Sequence, residues 1–213
     1  MRATKNLTEL LGYKGKLFAT FSDSRVYYNE EDLFIITKNF GREGPVGINI
    51  GPLPLSSFSN EIEITERGII SGKTYIAFDD CDFWDQKIEV KIPDKICEME
   101  NEVRIELRKR IDPILADKID NLIKKEEYER LKGLGPGLTP LGDDILSGMV
   151  LINKNLKDLE IESVFSKHLF RHAVKNEVPY SIMKFLETLN INFLKKMGSS
   201  SGLGYGLGII KSI

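Results

Sequence analysis

The sequence GLGPGLTPLGDDILSG occupies residues 133–148 and joins a glycine-rich loop to the first turns of a helix. Glycine tolerates positive φ and, having no Cβ, lets a ligand approach the backbone closely. Thr139 and Pro140 indicate the helix start, with threonine as N-cap and proline as first helical residue. An apolar stripe with helical spacing follows at Ile145, Met149, Ile152 and Leu156. Such a loop collects N–H groups and the positive end of a helix dipole, so the sequence predicts an anion site here.

Local explanations that need no ligand stay open for the same residues. Gly133 could end the preceding helix as its C′ residue, and Asp143 and Asp144 could simply favour the helix dipole from the first turns. The stretch is not a P-loop, because no Gly-Lys-Ser/Thr follows. It is not a dinucleotide fingerprint either, because helical sequence precedes the loop where a strand is required.

A second glycine- and serine-rich stretch, GSSSGLGYGLGII, occupies residues 198–210. Leu203, Leu207 and Ile210 have helical spacing, which favours a packed helix over a flexible end of the chain. Gly204 and Gly208 would allow close contact with another helix. Serine hydroxyls and N–H groups at the start of this helix could again meet an anion. We therefore expect the two glycine-rich stretches to converge on one pocket.

The motif GLGPGLTPxGDD, twelve positions with one free, resembles the signature of a bacterial family described as a domain of unknown function and as putative carboxylases. A better-known member is the AllH-type subunit of oxamate carbamoyltransferase, from allantoin degradation in purine catabolism. Weaker similarity covers most of the chain, including a second family patch, Gly-x-x-Ser-Gly. The family usually carries His at the position of Ser199, often Asp at that of Gly204, and a small polar residue at that of Leu141. These departures put side-chain chemistry at the second patch in doubt.

The resemblance implies a carbamoyltransferase subunit or relative that works with other subunits of that enzyme and binds a small anion such as carbamoyl phosphate, phosphate or oxamate. Carbamoyl transfer requires that the oxyanion and the leaving phosphate be stabilised. The expected ligand-binding residues are Gly133, Gly135, Gly137, Leu138, Thr139, Gly142, Ser199, Ser200, Ser201 and Gly202. A cation must come from elsewhere, because the first motif contains no Arg or Lys.

Asp143 and Asp144 are the catalytic candidates. They could bind an amide nitrogen, act as a base, or hold Mg²⁺ beside a phosphate. Helix neighbours point about 100° apart, so the two acids should not be equivalent. We expect Asp143 to face the pocket and Asp144 to brace either the loop or the neighbouring glycine-rich stretch. Two other functions stay open: a non-catalytic assembly subunit whose glycines serve packing, and a metal-dependent hydrolase that uses the aspartate pair.

Composition excludes several classes of protein. The chain has 213 residues and a net charge of −2 with both signs mixed, which indicates no nucleic-acid or membrane partner. Cys81 and Cys97 lack metal or disulfide-framework spacing, which favours a reducing, cytoplasmic location. The polar N-terminus does not resemble a signal peptide, and no apolar run is long enough to span a bilayer.

The hydrophobic period changes from 2 to 3.6 near Pro93, which predicts an α+β protein. Residues 1–93 should form an antiparallel β sandwich or small barrel, and residues 94–213 a helical domain that carries both glycine-rich motifs. Strands are predicted at 16–21, 25–28, 33–38, 46–50, 68–71, 74–78 and 87–92, with a glycine- and proline-rich loop over 41–54. Helices are predicted to begin at Asp112 with Pro113 and at Pro179, and another to span 158–175.

Two further clusters could bind a metal but have simpler explanations. Four aspartates lie within residues 79–85, where acidic residues are also common in turns. His168 and His172 have i, i+4 spacing but lack the glutamate of a zincin motif, so structural roles are favoured.

Overall fold

The computed structural model describes residues 1–39 and 42–213, and its fold is α+β, as predicted. A curled, nine-stranded half-barrel sheet forms the first part of this described chain, and a region of seven α-helices follows it. The chain divides into two compact units, Met1–Gln86 and Lys87–Ile213. Residue 41, the first of the predicted 41–54 loop, lies outside the described residues.

The sheet is mixed, with strand order β8-β7-β6-β2-β3-β4-β5-β1-β9. Its strands are β1 (Arg2–Thr4), β2 (Lys14–Thr20), β3 (Ser24–Tyr28), β4 (Leu33–Thr37), β5 (Gly47–Asn49), β6 (Glu61–Thr65), β7 (Gly68–Ser71), β8 (Thr74–Ala77) and β9 (Asp82–Trp84). Pairing is parallel between β4 and β5 and between β1 and β9, and antiparallel in the other pairs.

Alternating side chains give this unit its core. β6 reads Glu-Ile-Glu-Ile-Thr, and its two isoleucines are buried while the other three side chains face outward. The core contains fully buried residues from several strands, among them Tyr27, Phe34, Ile36, Ile48, Ile64, Ile69 and Ile76. β1, β6 and β9 are absent from the predicted strands; β1 and β9 have only three residues each, too few to show a period.

The strand predicted at 87–92 is wrong. Within the described residues, this segment forms no strand: Lys87 makes an isolated β-bridge with Glu177, and the Ile88 N–H donates to the Asn176 carbonyl at 2.9 Å. Its alternating apolar residues, Ile88 and Val90, instead pack against the helical core. Alternating apolar residues indicate that one face of a segment is buried. A helix bundle can cover that face as well as a second sheet can.

The helical unit has one central helix. Its helices are α1 (Glu100–Arg108), α2 (Pro113–Lys124), α3 (Leu141–Ile152), α4 (Val164–Val174), α5 (Tyr180–Thr188), α6 (Ile191–Leu194) and α7 (Ser201–Lys211). All residues of α3 except Ile152 are buried, so α3 is surrounded by protein on every side. No helix in the described part of the chain is both long and apolar enough to cross a bilayer.

Helix starts are predicted correctly where the cap is local. Asp112 accepts hydrogen bonds from the N–H groups of Ile114 and Leu115, at 2.8 and 3.2 Å, and Pro113 is the first residue of α2. A helix predicted over 158–175 begins later, at Val164. The helix expected from Pro179 begins at Tyr180, with Pro179 at the cap position.

Candidate functional site

The loop before α3 owes its path to glycine. Gly133, Gly135 and Gly137 have φ values of +65°, +114° and +101°. A Cβ added at Gly133 or Gly137 would meet no atom within 4 Å, so backbone conformation rather than crowding requires glycine at these two positions. The loop is accessible, because Gly137 and Leu138 are exposed and Thr139 is half-buried.

The start of α3 differs from the prediction. The helix begins at Leu141, Pro140 occupies the cap position, and no side chain caps the first turn. Thr139 is therefore not the N-cap. Its hydroxyl lies 2.8 Å from the Ser201 hydroxyl instead, across 62 positions of sequence. A long-range partner has replaced the local one.

Several of the predicted anion donors already donate within the protein. The Gly133 N–H donates to Asp143 Oδ1 at 2.7 Å, and the Gly142 N–H donates to the Leu134 carbonyl at 2.8 Å. The Gly202 N–H donates to the Met197 carbonyl at 3.0 Å. By contrast, loop residues 135, 137, 138 and 139 donate no backbone hydrogen bond to another described residue. These four N–H groups are the donors left for a ligand.

The structure brings the two glycine-rich stretches together through Thr139 and Ser201, the first residue of α7. The other two candidate serines face different partners through their backbone. The Ser199 carbonyl accepts a hydrogen bond from Arg110 Nη1 at 2.6 Å, and the Ser200 carbonyl accepts one from the Gly204 N–H at 2.9 Å. Ser201 is thus the candidate serine whose hydroxyl reaches the first motif.

Asp143 braces the loop, which is one of the two roles expected for Asp144. Its carboxylate accepts the Gly133 N–H, and the side chain is 1% exposed. Burial raises the pKa of Asp143, while the Gly133 N–H and the nearby Ser166 hydroxyl oppose that rise. Asp143 rather than Asp144 therefore accepts the loop N–H, and which of the two acids faces a ligand more directly stays a prediction.

Asp144 is fully buried, at 0% exposure, and neither of its carboxylate oxygens has a hydrogen-bond partner among the described residues. Burial raises the pKa of Asp144 well above its usual range, and the charge of Asp143 adds to the rise. The Ser201 hydroxyl is close enough to oppose this rise in pKa, although the geometry of its contact with Asp144 falls short of a hydrogen bond. Asp144 is thus a buried acid without a hydrogen-bond partner among the described residues, and its surroundings favour the uncharged form.

Tyr205 is a member of this cluster that the sequence analysis missed. It lies one helical turn after Ser201 on α7, is fully buried, and its hydroxyl has no partner among the described residues. Burial raises the pKa of Tyr205, and the charge of Asp144 raises it further. The i, i+4 spacing from Ser201 was the available signal, because such residues share a helix face.

The helical glycines of both stretches serve packing. A Cβ added at Gly148 would lie 2.0 Å from the Tyr205 carbonyl oxygen, and one at Gly208 would lie 2.0 Å from the Ile145 carbonyl oxygen. Gly142 and Gly202 meet backbone carbonyls of Leu131 and Leu194 at 1.9 and 2.1 Å in the same way. Gly148 and Gly208 let α3 and α7 approach so closely that only glycine fits, while Gly142 and Gly202 allow the same close approach to Leu131, before the loop, and to Leu194 of α6.

A shared Mg²⁺ does not fit the aspartate pair. Asp143 is bonded to the loop, Asp144 is enclosed, and within the described residues no third His, Cys, Asp or Glu ligand atom lies close to both. Mg²⁺ usually keeps several waters, for which an enclosed carboxyl leaves no access.

The two weaker metal candidates have structural partners. Asp85 of the 79–85 cluster lies 3.3 Å from Lys5 Nζ. His172 is paired with Glu177 through Nδ1. Burial lowers the pKa of His168 well below its ordinary value, as expected for a buried neutral imidazole.

Comparison with known proteins yields no match, whether to a protein-family model, to a curated protein or to a solved structure.

Proposed function

We propose that this chain binds a small anion of the carbamoyl phosphate, phosphate or oxamate type and acts in the cytoplasm as a subunit or relative of oxamate carbamoyltransferase, together with other subunits of that enzyme. The observation that carries the proposal is the contact between the Thr139 and Ser201 hydroxyls. This contact joins two glycine-rich helix starts that are distant in sequence, beside a buried acid without a partner.

The chemistry of the site suits an anion. Four N–H groups at residues 135, 137, 138 and 139 have no acceptor within the described residues, and two of these residues are exposed. The Thr139 and Ser201 hydroxyls can each donate one hydrogen bond. Both α3 and α7 begin beside them, so their positive dipole ends favour negative charge at this place.

The two aspartates would act from inside the protein. Both are buried, whereas Thr139 and Ser201 are half-buried, so a ligand meets the hydroxyls first. Asp143 would hold the loop through Gly133, and Asp144 would orient the Ser201 hydroxyl.

The second candidate function is a non-catalytic assembly subunit. It is favoured by the helical glycines, whose missing Cβ positions are filled by neighbouring backbone. That explanation does not extend to Gly137, where the space is open and the positive φ is the only requirement. The two candidates therefore differ in what the loop does.

Isothermal titration of the purified chain with phosphate, carbamoyl phosphate and oxamate tests the proposal. We expect binding by the natural sequence and at least a tenfold loss for Gly137→Val, because valine disfavours the required φ. Gly12→Val is the matched control, since Gly12 also has positive φ and open space but lies in the β unit. Absence of binding to all three anions would reject the proposal in favour of the assembly role, and metal-dependent turnover without partners would favour the hydrolase.

A further inference from the structure

We infer that Arg110 is the cationic residue that binds the anion at the joined glycine-rich stretches, an inference that rests on the proposed function. Arg110 follows α1 and lies 89 positions before Ser199 in sequence. Its Nη1 nevertheless donates to the Ser199 carbonyl at 2.6 Å. That contact places the guanidinium beside Ser199, two residues before the start of α7 at Ser201, whose hydroxyl contacts Thr139.

Arg110 differs from the basic residues next to it in having no acidic partner among the residues that the structure describes. Arg108 pairs with Asp117 and Asp120, each at 2.8 Å, and Lys109 pairs with Glu106 at 2.6 Å. Among the described residues, Arg110 makes no ion pair, and its side chain is exposed. A guanidinium has five N–H donors in a planar fork, so the contact with Ser199 leaves donors for a ligand.

Two buried side chains beside the start of α7 are a second, independent indication of a ligand. Asp144 and Tyr205 are fully buried, and their polar atoms lack partners among the described residues. Both are linked to the start of α7, Asp144 through its proximity to the Ser201 hydroxyl and Tyr205 through its position one turn later. Polar atoms that are buried without partners call for an explanation, such as a functional role or a bound water or ion.

The geometry of arginine indicates the class of anion. A guanidinium matches two oxygens on one centre, so it favours a carboxylate or a phosphoryl group held bidentately. Backbone N–H groups of the loop would take the remaining oxygens, and Arg110 would supply the positive charge that both glycine-rich stretches lack. Lysine at position 110 would keep the charge but lose the fork.

Titration of the full chain with inorganic phosphate and with oxamate tests the inference, using Arg110→Gln, Arg110→Lys and the control Arg108→Gln. We expect about a tenfold or greater loss of affinity for Arg110→Gln, a smaller loss for Arg110→Lys, and no change for Arg108→Gln. The affinity of the natural sequence should also fall with added salt more steeply than that of Arg110→Gln, because one charge pair is missing in the variant.

The outcomes separate the two proposals. Equal affinities and equal salt dependence for the natural sequence and Arg110→Gln would overturn the role of Arg110 while leaving the anion site intact. Failure of the natural sequence to bind phosphate, oxamate and also carbamoyl phosphate would instead overturn the proposed function. Melting temperatures of the three variants should match that of the natural sequence, since both arginines are exposed.

Discussion

Replacing Gly148 by alanine should destabilise the helical unit, although alanine is the better helix former. The gain in helix propensity is about 1 kcal/mol. Against it, the new Cβ would lie 2.0 Å from the Tyr205 carbonyl oxygen and 3.0 Å from the Ile209 nitrogen, and Cβ contacts under 3.0 Å are essentially never seen. The obstacle is the backbone of a buried helix, which cannot rotate away as a side chain can.

The expected cost follows from these distances. Overpacking a close-packed core costs about 1–3 kcal/mol, and the largest values belong to clashes that force backbone to move. Taking about 3 kcal/mol for the clash and about 1 kcal/mol for the gained propensity, we expect a net loss of about 2 kcal/mol in the free energy of unfolding. Denaturant unfolding followed by circular dichroism measures that loss.

Gly206→Ala is the matched control. It makes the same substitution in α7, but the Cβ would meet Leu194 Cδ1 at 2.5 Å, the end of a flexible side chain that can change rotamer. We expect a loss of less than about 1 kcal/mol for this variant. If Gly148→Ala were as stable as the natural sequence, the close crossing of α3 and α7 would be refuted.

Two further predictions concern the buried acids. The pKa of Asp144 is raised in the folded state, so unfolding releases a proton above about pH 4. The free energy of unfolding therefore falls with rising pH, by up to about 1.4 kcal/mol per pH unit, until the pH reaches the pKa of the folded state. Asp144→Asn carries no such proton, so its stability should vary less between pH 4 and 7, and equal slopes in thermal unfolding would contradict the buried acid. Asp143→Ala should cost about 1–3 kcal/mol and increase proteolysis of the loop, because the Gly133 N–H loses its acceptor. Asp143→Asn keeps an acceptor oxygen, and failure of this variant to restore protease resistance would argue against that hydrogen bond.

The fold class and some helix starts could be predicted because their signals are local. The change of period near Pro93 indicates β before α, and Asp112 with Pro113 caps a helix with atoms two and three residues away. Thr139 with Pro140 has the same appearance in sequence, yet its hydroxyl contacts Ser201. A local pattern cannot reveal that a distant residue competes for the same hydroxyl.

The sequence predicts that the two glycine-rich stretches meet, but not which role each residue has there. Two glycine-rich helix starts suggested a common place, and the Thr139–Ser201 contact joins them. The separate roles of Asp143 and Asp144 depend on which face of α3 the preceding loop crosses, and the position of Arg110 depends on how the chain after α1 meets the segment before α7. Both are consequences of long-range packing, which helix periodicity does not specify.

We propose that an anion binds to the backbone N–H groups of the loop before α3 and to the Ser201 hydroxyl at the start of α7. Amide chemical-shift mapping by NMR during addition of phosphate, and separately of oxamate, tests this most directly. We expect saturable shifts that are largest at Gly135, Gly137, Leu138 and Thr139, with smaller shifts at the first residues of α7. Saturable shifts confined to surface lysines elsewhere, or no shift in the loop at concentrations that saturate other amides, would contradict it.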